Sequence, residues 1–188
     1  MTKRLFLDVE TTGLSPAKHS IHQIAGIIEI DGIEVESFDI KLKPNPKAII
    51  DDVALEISGV TLEQIRSYQS FEDGYKQFIQ TISKHIDQYN KTDKFHLVGY
   101  NNRSFDDNFV RGLLKQNSNN FFGSYFWSDS IDVLVIASYH LEKRRPELPN
   151  FKLNTVAEFL GIPVEQNKLH DALYDIKLTK LILEKIKQ

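Results

Sequence analysis

Residues 5–14, Leu-Phe-Leu-Asp-Val-Glu-Thr-Thr-Gly-Leu, constrain the fold of this chain more than any other stretch. They read as a β-strand running into a loop. Alternation sends Leu5, Leu7 and Val9 to one face and Phe6, Asp8 and Glu10 to the other. Both faces begin apolar, so the strand is expected at the centre of a sheet covered on both sides. Asp8 and Glu10 then point the same way, about 7 Å apart along the strand. Two like charges at the end of a buried strand are costly to desolvate, and a divalent cation is the usual remedy.

The rest of the chain is read around that strand. Residues 21–30 and 33–42 form two further strand patterns, joined by Asp31-Gly32 as a tight hairpin turn. Pro44 and Pro46 end the second. A short helix is expected over 48–58, stopped at Gly59, and Thr61 with Gln64 has capping-box spacing. Residues 70–89 carry a helical apolar period in Phe71, Tyr75, Phe78, Ile79, Ile82 and Ile86. A strand follows over 95–100, then a helix capped by Ser104 that runs to about Gln116 and breaks at 117–120. Residues 121–127 are aromatic-rich and fit a loop packed over the site. Residues 130–137 fit either a strand or the start of a helix. A charged loop over 142–149, a helix over 152–160 ending at Gly161, and a last helix over 171–187 complete the order. Three early strands followed by alternating helices and strands imply an α/β fold, a mixed sheet flanked by helices.

At 188 residues the chain fits one domain, 1–188, with room for a real core. A net charge of −3 gives no global basic footprint, so any nucleic-acid contact is local or works through metal ions. The absence of cysteine excludes disulfides, thiolate zinc sites and cysteine nucleophiles. Met1–Arg4 lead into the first strand without a signal-peptide pattern, and no apolar run reaches transmembrane length. A cytoplasmic protein with no membrane partner is the expectation.

Two more acids turn inward. Asp106 is followed at helical offsets by Phe109, Val110 and Leu113, and Asp175 by Leu178, Thr179 and Ile182. Each heads an apolar stripe instead of lying on a solvated face. The macrodipole favours an acid in a first turn but does not account for an inward side. Carboxylates without thiols suit magnesium or manganese. Two such ions about 3.5–4 Å apart can hold a phosphodiester and activate a water. His170 precedes Asp175 by five residues, about 140° around a helix, so it belongs on the loop at the helix mouth. An unperturbed pKa near 6.5 suits it as a general base. The other five histidines, His19 and His22 among them, fit ordinary structural positions.

Taken together, Asp8-Val9-Glu10-Thr11-Thr12-Gly13, Asn102-Arg103-Ser104-Phe105-Asp106, and His170 with Asp175 resemble the three motifs of the DnaQ-like (DEDDh) 3′–5′ exonuclease superfamily. A lone D-x-E is weak, whereas all three in order are specific. Residues 99–107 and Phe151-Lys152-Leu153-Asn154 are most similar to the nuclease domain of exodeoxyribonuclease I. The resemblance implies an RNase H-like fold and hydrolysis of a nucleic-acid 3′ end with two divalent cations, Mg2+ or Mn2+. It implies that Asp8, Glu10 and Asp175 ligate the first metal, that Asp8 and Asp106 hold the second, and that His170 takes the proton from the attacking water. Thr11, Thr12, Gly13 and Leu14 match the stretch that meets the terminal nucleotide, although Thr12 and Gly13 equally fit a plain turn. Asn102 fits a loop-steadying role or a contact with the strand, and Phe105 a core position or a base platform. Asn101 and Gln23 depart from the residues many members carry, and neither is a metal ligand.

The expected partner is a single-stranded 3′ end, DNA favoured over RNA. RNA or short oligonucleotides, and a proofreading role beside a DNA polymerase, are the competing readings. Because the chain stops just after its last helix, with no polymerase-binding tail, the proofreading role ranks lower; a homodimer and a polymerase partner both stay open. Phe121, Phe122, Tyr125, Phe126 and Trp127 could stack on bases, and Lys143, Arg144, Arg145 and Lys152 could meet phosphates. The bland alternatives are core aromatics and a solvated charged loop.

Overall fold

A computed structural model describes residues 1–169 and 171–187. Its sheet has five strands, β1 (Lys3–Thr11), β2 (Ile21–Ile30), β3 (Ile33–Lys41), β4 (His96–Gly99) and β5 (Ile131–Asp132), in the order β3-β2-β1-β4-β5. The first three pair antiparallel, and β4 and β5 join parallel. β1 is therefore the central strand. The hairpin between β2 and β3 turns on Asp31 (φ 49°) and Gly32 (φ 86°), the paired left-handed residues that a two-residue I′ turn requires.

The two faces of β1 feed separate cores. Leu5, Leu7 and Val9 pack with Phe71, Phe78 and Ile82 of α3 (Phe71–Ser83) and with Phe109, Val110 and Leu113 of α4 (Asp106–Gln116). Phe6 packs on the opposite face with α6 (Val133–His140), α7 (Leu153–Phe159) and α8 (Ala172–Ile186). Two short helices, α1 (Asp52–Ile57) and α2 (Leu62–Ser67), precede α3, and α5 (Phe122–Tyr125) follows α4. Thr61 and Gln64 form the full capping box at α2. No helix among the described residues is long and apolar enough to cross a membrane.

Several boundaries differ from the sequence reading. The helix expected to reach Tyr89 ends at Ser83, because its next residues are tied to the sheet. Lys84 and His85 both bond Glu36 of β3 at 2.7 Å, and Lys3 Nζ donates to the His85 carbonyl at 2.6 Å. The helix expected from residue 48 starts at Asp52, because the backbone before it serves the neighbouring loop: Ile49 N–H donates to Lys18 O and Asp51 N–H to Thr12 O, each at 2.8 Å. Ser104 does not cap α4. Its hydroxyl turns back to Asn101, and the cap position falls to Phe105 without a side-chain bond. The stretch 130–137, open between two readings, is both: β5, then α6 capped by Asp132.

Candidate active site

At the carboxyl end of β1, Asp106, Glu10 and Asp175 come close enough to Asp8 to act on its charge. Pairing between β1 and β4 stops at Phe6↔Val98, so the two strands part beyond it. In the gap, Asp106 at the start of α4 reaches across from the α3/α4 face. Its Oδ1 accepts from the Val9 N–H at 3.1 Å, replacing a ladder bond. Asp8, with Phe6, faces α8, which brings Asp175 from its first turn. Asp171 caps that helix, accepting from the Tyr174 N–H at 2.9 Å. A bulge between Glu10 and Thr11, with His22 as the extra residue opposite, re-aims the strand as it leaves the sheet.

The electrostatics reflect this crowding. Burial pushes the Asp8 carboxyl well above its ordinary range, and repulsion from Asp106, Glu10, Asp175 and Asp171 adds to the rise. Burial pushes Asp106 up to about 7, against the lowering effect of the Val9 N–H and its own N–H; Asp107 and Glu10 raise it further. Among the described residues no three acids or histidines form a ready-made ligand cluster. The donor set is nonetheless oxygen only, and a hard cation would offset both the burial and the repulsion that raise Asp8. His170, the expected base, lies outside the described residues.

Asn102 is 2% exposed and donates to Asp107 Oδ1 at 3.1 Å, so it steadies the loop that delivers Asp106. Gly99 permits this, since a Cβ there would stand 2.6 Å from the Asn102 Cβ. Beyond β1, Thr12 is fully buried. Its hydroxyl donates to Ile49 O and accepts from Ser20 N–H, and its own N–H donates to Ser20 O. It holds the loop in place and offers neither group to a ligand, a correction to its expected contact role. Thr11 donates to Gly13 O at 2.9 Å. Leu14, in contrast, is 80% exposed. Leu14, Thr11, Gly13, Glu10 and Phe105 line a largely apolar cleft of about 240 Å³. Phe105 packs on Phe109 at 4.9 Å between ring centroids and edges the cleft.

The far wall of the cleft was not read from the sequence. It is α1, through Val53, Ala54, Ile57 and Ser58. A six-residue helix within a loop-rich stretch carries no motif; the exposed apolar Val53 and Ile57 were the available signal. His19, read from the sequence as an ordinary structural histidine, lays its ring against Gly13, and its Nδ1 accepts from the Ser15 N–H at 3.0 Å.

The aromatic segment is not a cover for the site. Phe122, Tyr125 and Phe126 are buried in the α3/α4 core, and Trp127 stacks on His96. Phe121 alone of the five is largely exposed. Of the basic group, Arg144 forks onto Glu147 and lies over Phe159, and Arg145 donates to Leu148 O at 2.7 Å. Lys152 lines a second cavity, of about 490 Å³, together with Tyr100, Asn101, Phe151 and Asp175.

A family model described as Exonuclease, of the RNase T type, matches residues 5–183. The DNA polymerase III PolC-type protein of Oceanobacillus iheyensis is 30% identical over 185 residues, 96% of this chain and 11% of that protein. Exodeoxyribonuclease I of Escherichia coli K12 is 29% identical over 203 residues, 97% of this chain and 39% of that protein. The crystal structure of E. coli exonuclease I in complex with a dT13 oligonucleotide shares the fold, with a TM-score of 0.79 at 24% identity over 100% of this chain and 41% of that one. The chain thus spans about a tenth of the PolC-type relative and about two fifths of the exodeoxyribonuclease.

Proposed function

The chain belongs to the exonuclease family, and on that premise we propose that it removes nucleotides from the 3′ end of single-stranded DNA by two-metal-ion phosphodiester hydrolysis. The observation that supports the reading is the electrostatic crowding of buried Asp8 by Asp106, Glu10 and Asp175 at the parted end of β1, beside a largely apolar cleft lined by Glu10, Leu14 and Phe105. Similarity to exodeoxyribonuclease I, and to the structure of E. coli exonuclease I in complex with a dT13 oligonucleotide, supports the choice of single-stranded DNA.

Asp8, Glu10 and Asp175 would hold one divalent cation, and Asp8 with Asp106 the other. Mg2+ or Mn2+ so held would lower the pKa of a bound water and neutralise charge developing on the phosphate. The carboxylates must be ionised to serve; burial, and then repulsion within the set, opposes this at Asp8, and bound cations would offset both. Leu14 and Phe105 would take the terminal base between them, with Thr11 and Gly13 beneath and α1 opposite. His170 is proposed to accept the proton of the attacking water. Asn102, through Asp107, keeps Asp106 in the gap.

The PolC-type relatives favour a second reading, an exonuclease domain working beside a DNA polymerase. Degradation of matched DNA and RNA strands labelled at either end, with and without Mg2+, tests the first reading. Metal-dependent release from DNA 3′ ends is expected; preference for RNA or for 5′ ends would overturn it. Co-purification with a polymerase would establish the second.

A further inference from the structure

Ser58 stands where the nucleotide cleft touches the acid cluster. It is the residue after the last turn of α1, and its position is set by that helix's closure. Its own N–H returns to Ala54 O at 3.1 Å, Gly59 turns left-handed at φ 66°, and Val60 N–H donates back to Leu55 O at 3.1 Å. The side chain is half-buried and lines the cleft with Glu10. Its Oγ lies 2.8 Å from Glu10 Oε2 and 3.0 Å from Ala54 O. One hydroxyl proton serves one acceptor at a time; the shorter contact is to the Glu10 carboxylate, and the Ala54 carbonyl is the alternative.

We propose that Ser58 is a positioning residue for Glu10: by holding Oε2 it sets the direction in which the other oxygen of that carboxylate is presented to a divalent cation. The inference rests on Glu10 being a metal ligand, as in the function proposed above. Glu10 sits where the register of β1 is broken by the bulge. Ser58, at the end of α1, reaches it from outside the sheet, and α1 lines the cleft in which a terminal nucleotide would rest. Partners that orient a metal-bound carboxylate typically change metal affinity 10–100-fold when removed.

The experiment titrates Mn2+ by electron paramagnetic resonance against the wild-type protein, Ser58→Ala, Ser58→Thr and Asp175→Ala, with half-saturating Mg2+ for strand cleavage measured in parallel. Ser58→Ala is expected to bind Mn2+ about tenfold more weakly and to need about tenfold more Mg2+, with turnover recovering at high Mg2+. Ser58→Thr keeps the hydroxyl and should behave as wild type. Unchanged or tighter Mn2+ binding in Ser58→Ala, or a Ser58→Thr protein as weak as Ser58→Ala, overturns the assignment. If wild type and Asp175→Ala both fail to bind Mn2+, the metal-site reading itself falls, and this one with it.

Discussion

Replacing His22 by leucine should remove an acid-sensitive weak point from the core. His22 is 0% exposed, and neither ring nitrogen has a hydrogen-bond partner among the described residues. Burial, with Lys41 contributing, lowers its pKa from 6.5 to about 4. Above pH 6.5 the ring is neutral in both folded and unfolded chains, and the shift has no effect. Below it the unfolded chain takes up a proton that the folded chain refuses, so stability falls as pH drops from 6.5 to about 4 and the loss then levels off. The linkage amounts to about 2 kcal/mol at pH 5 and about 3 kcal/mol below pH 4. Asp106 works in the opposite sense without metal. Its folded pKa is raised to about 7, so its contribution is greatest below the unfolded value and is lost as pH rises through 7. The total pH profile mixes the two, and the difference between variants separates them. Urea unfolding of metal-free wild type and His22→Leu at several values between pH 5 and 7.5 is the assay. At neutral pH the variant should match or exceed wild type, since an unsatisfied buried polar group costs about 1–3 kcal/mol. Its advantage should grow by about 2 kcal/mol on going to pH 5. A difference that stays constant across that range would refute the reasoning.

Asp8→Ala and Asp175→Ala should each abolish strand hydrolysis while keeping a cooperative thermal transition; near-normal cleavage in either would sink the mechanism. Gly13→Ala puts a Cβ 2.4 Å from the His19 ring at a φ of +152°, and should lower kcat/KM for a 3′-labelled strand about tenfold or more. Asn102→Ala removes one partner of the buried Asp107, which keeps Ser130 and Arg111 nearby, and should lower thermal stability by roughly 1–3 kcal/mol, read in a denaturation curve. His170→Ala should retain Mn2+ binding and lose about 10²–10⁴-fold in turnover, measured at saturating metal.

What the sequence made legible was whatever rests on strict local periodicity. The alternation in β1 predicted its two cores and its central place, because a one-residue slip would expose every apolar side chain. The apolar stripes behind Asp106 and Asp175 predicted that both acids look inward, and the I′ turn at Asp31-Gly32 followed from composition. What stayed hidden depends on contacts distant in sequence. The end of α3 is decided by Glu36 and Lys3, which no helical pattern records. Thr12 looked like a ligand contact until Ser20 and Ile49 were seen to use its polar groups. Ser58 carries no signal of its own, because its partner Glu10 lies 48 positions earlier.

The hydrogen bond from Val9 to Asp106 bears on how an inactive form of this protein should be made. It is a rivet across the gap where β1 and β4 part, so removing Asp106 should silence the site and loosen a seam at once. A protein disabled that way would confound lost chemistry with altered strand spacing, and any change in ligand capture could come from either. Asp175 hangs from the first turn of α8, clear of that seam. For trapping an uncleaved strand, a substitution at Asp175 is the cleaner choice.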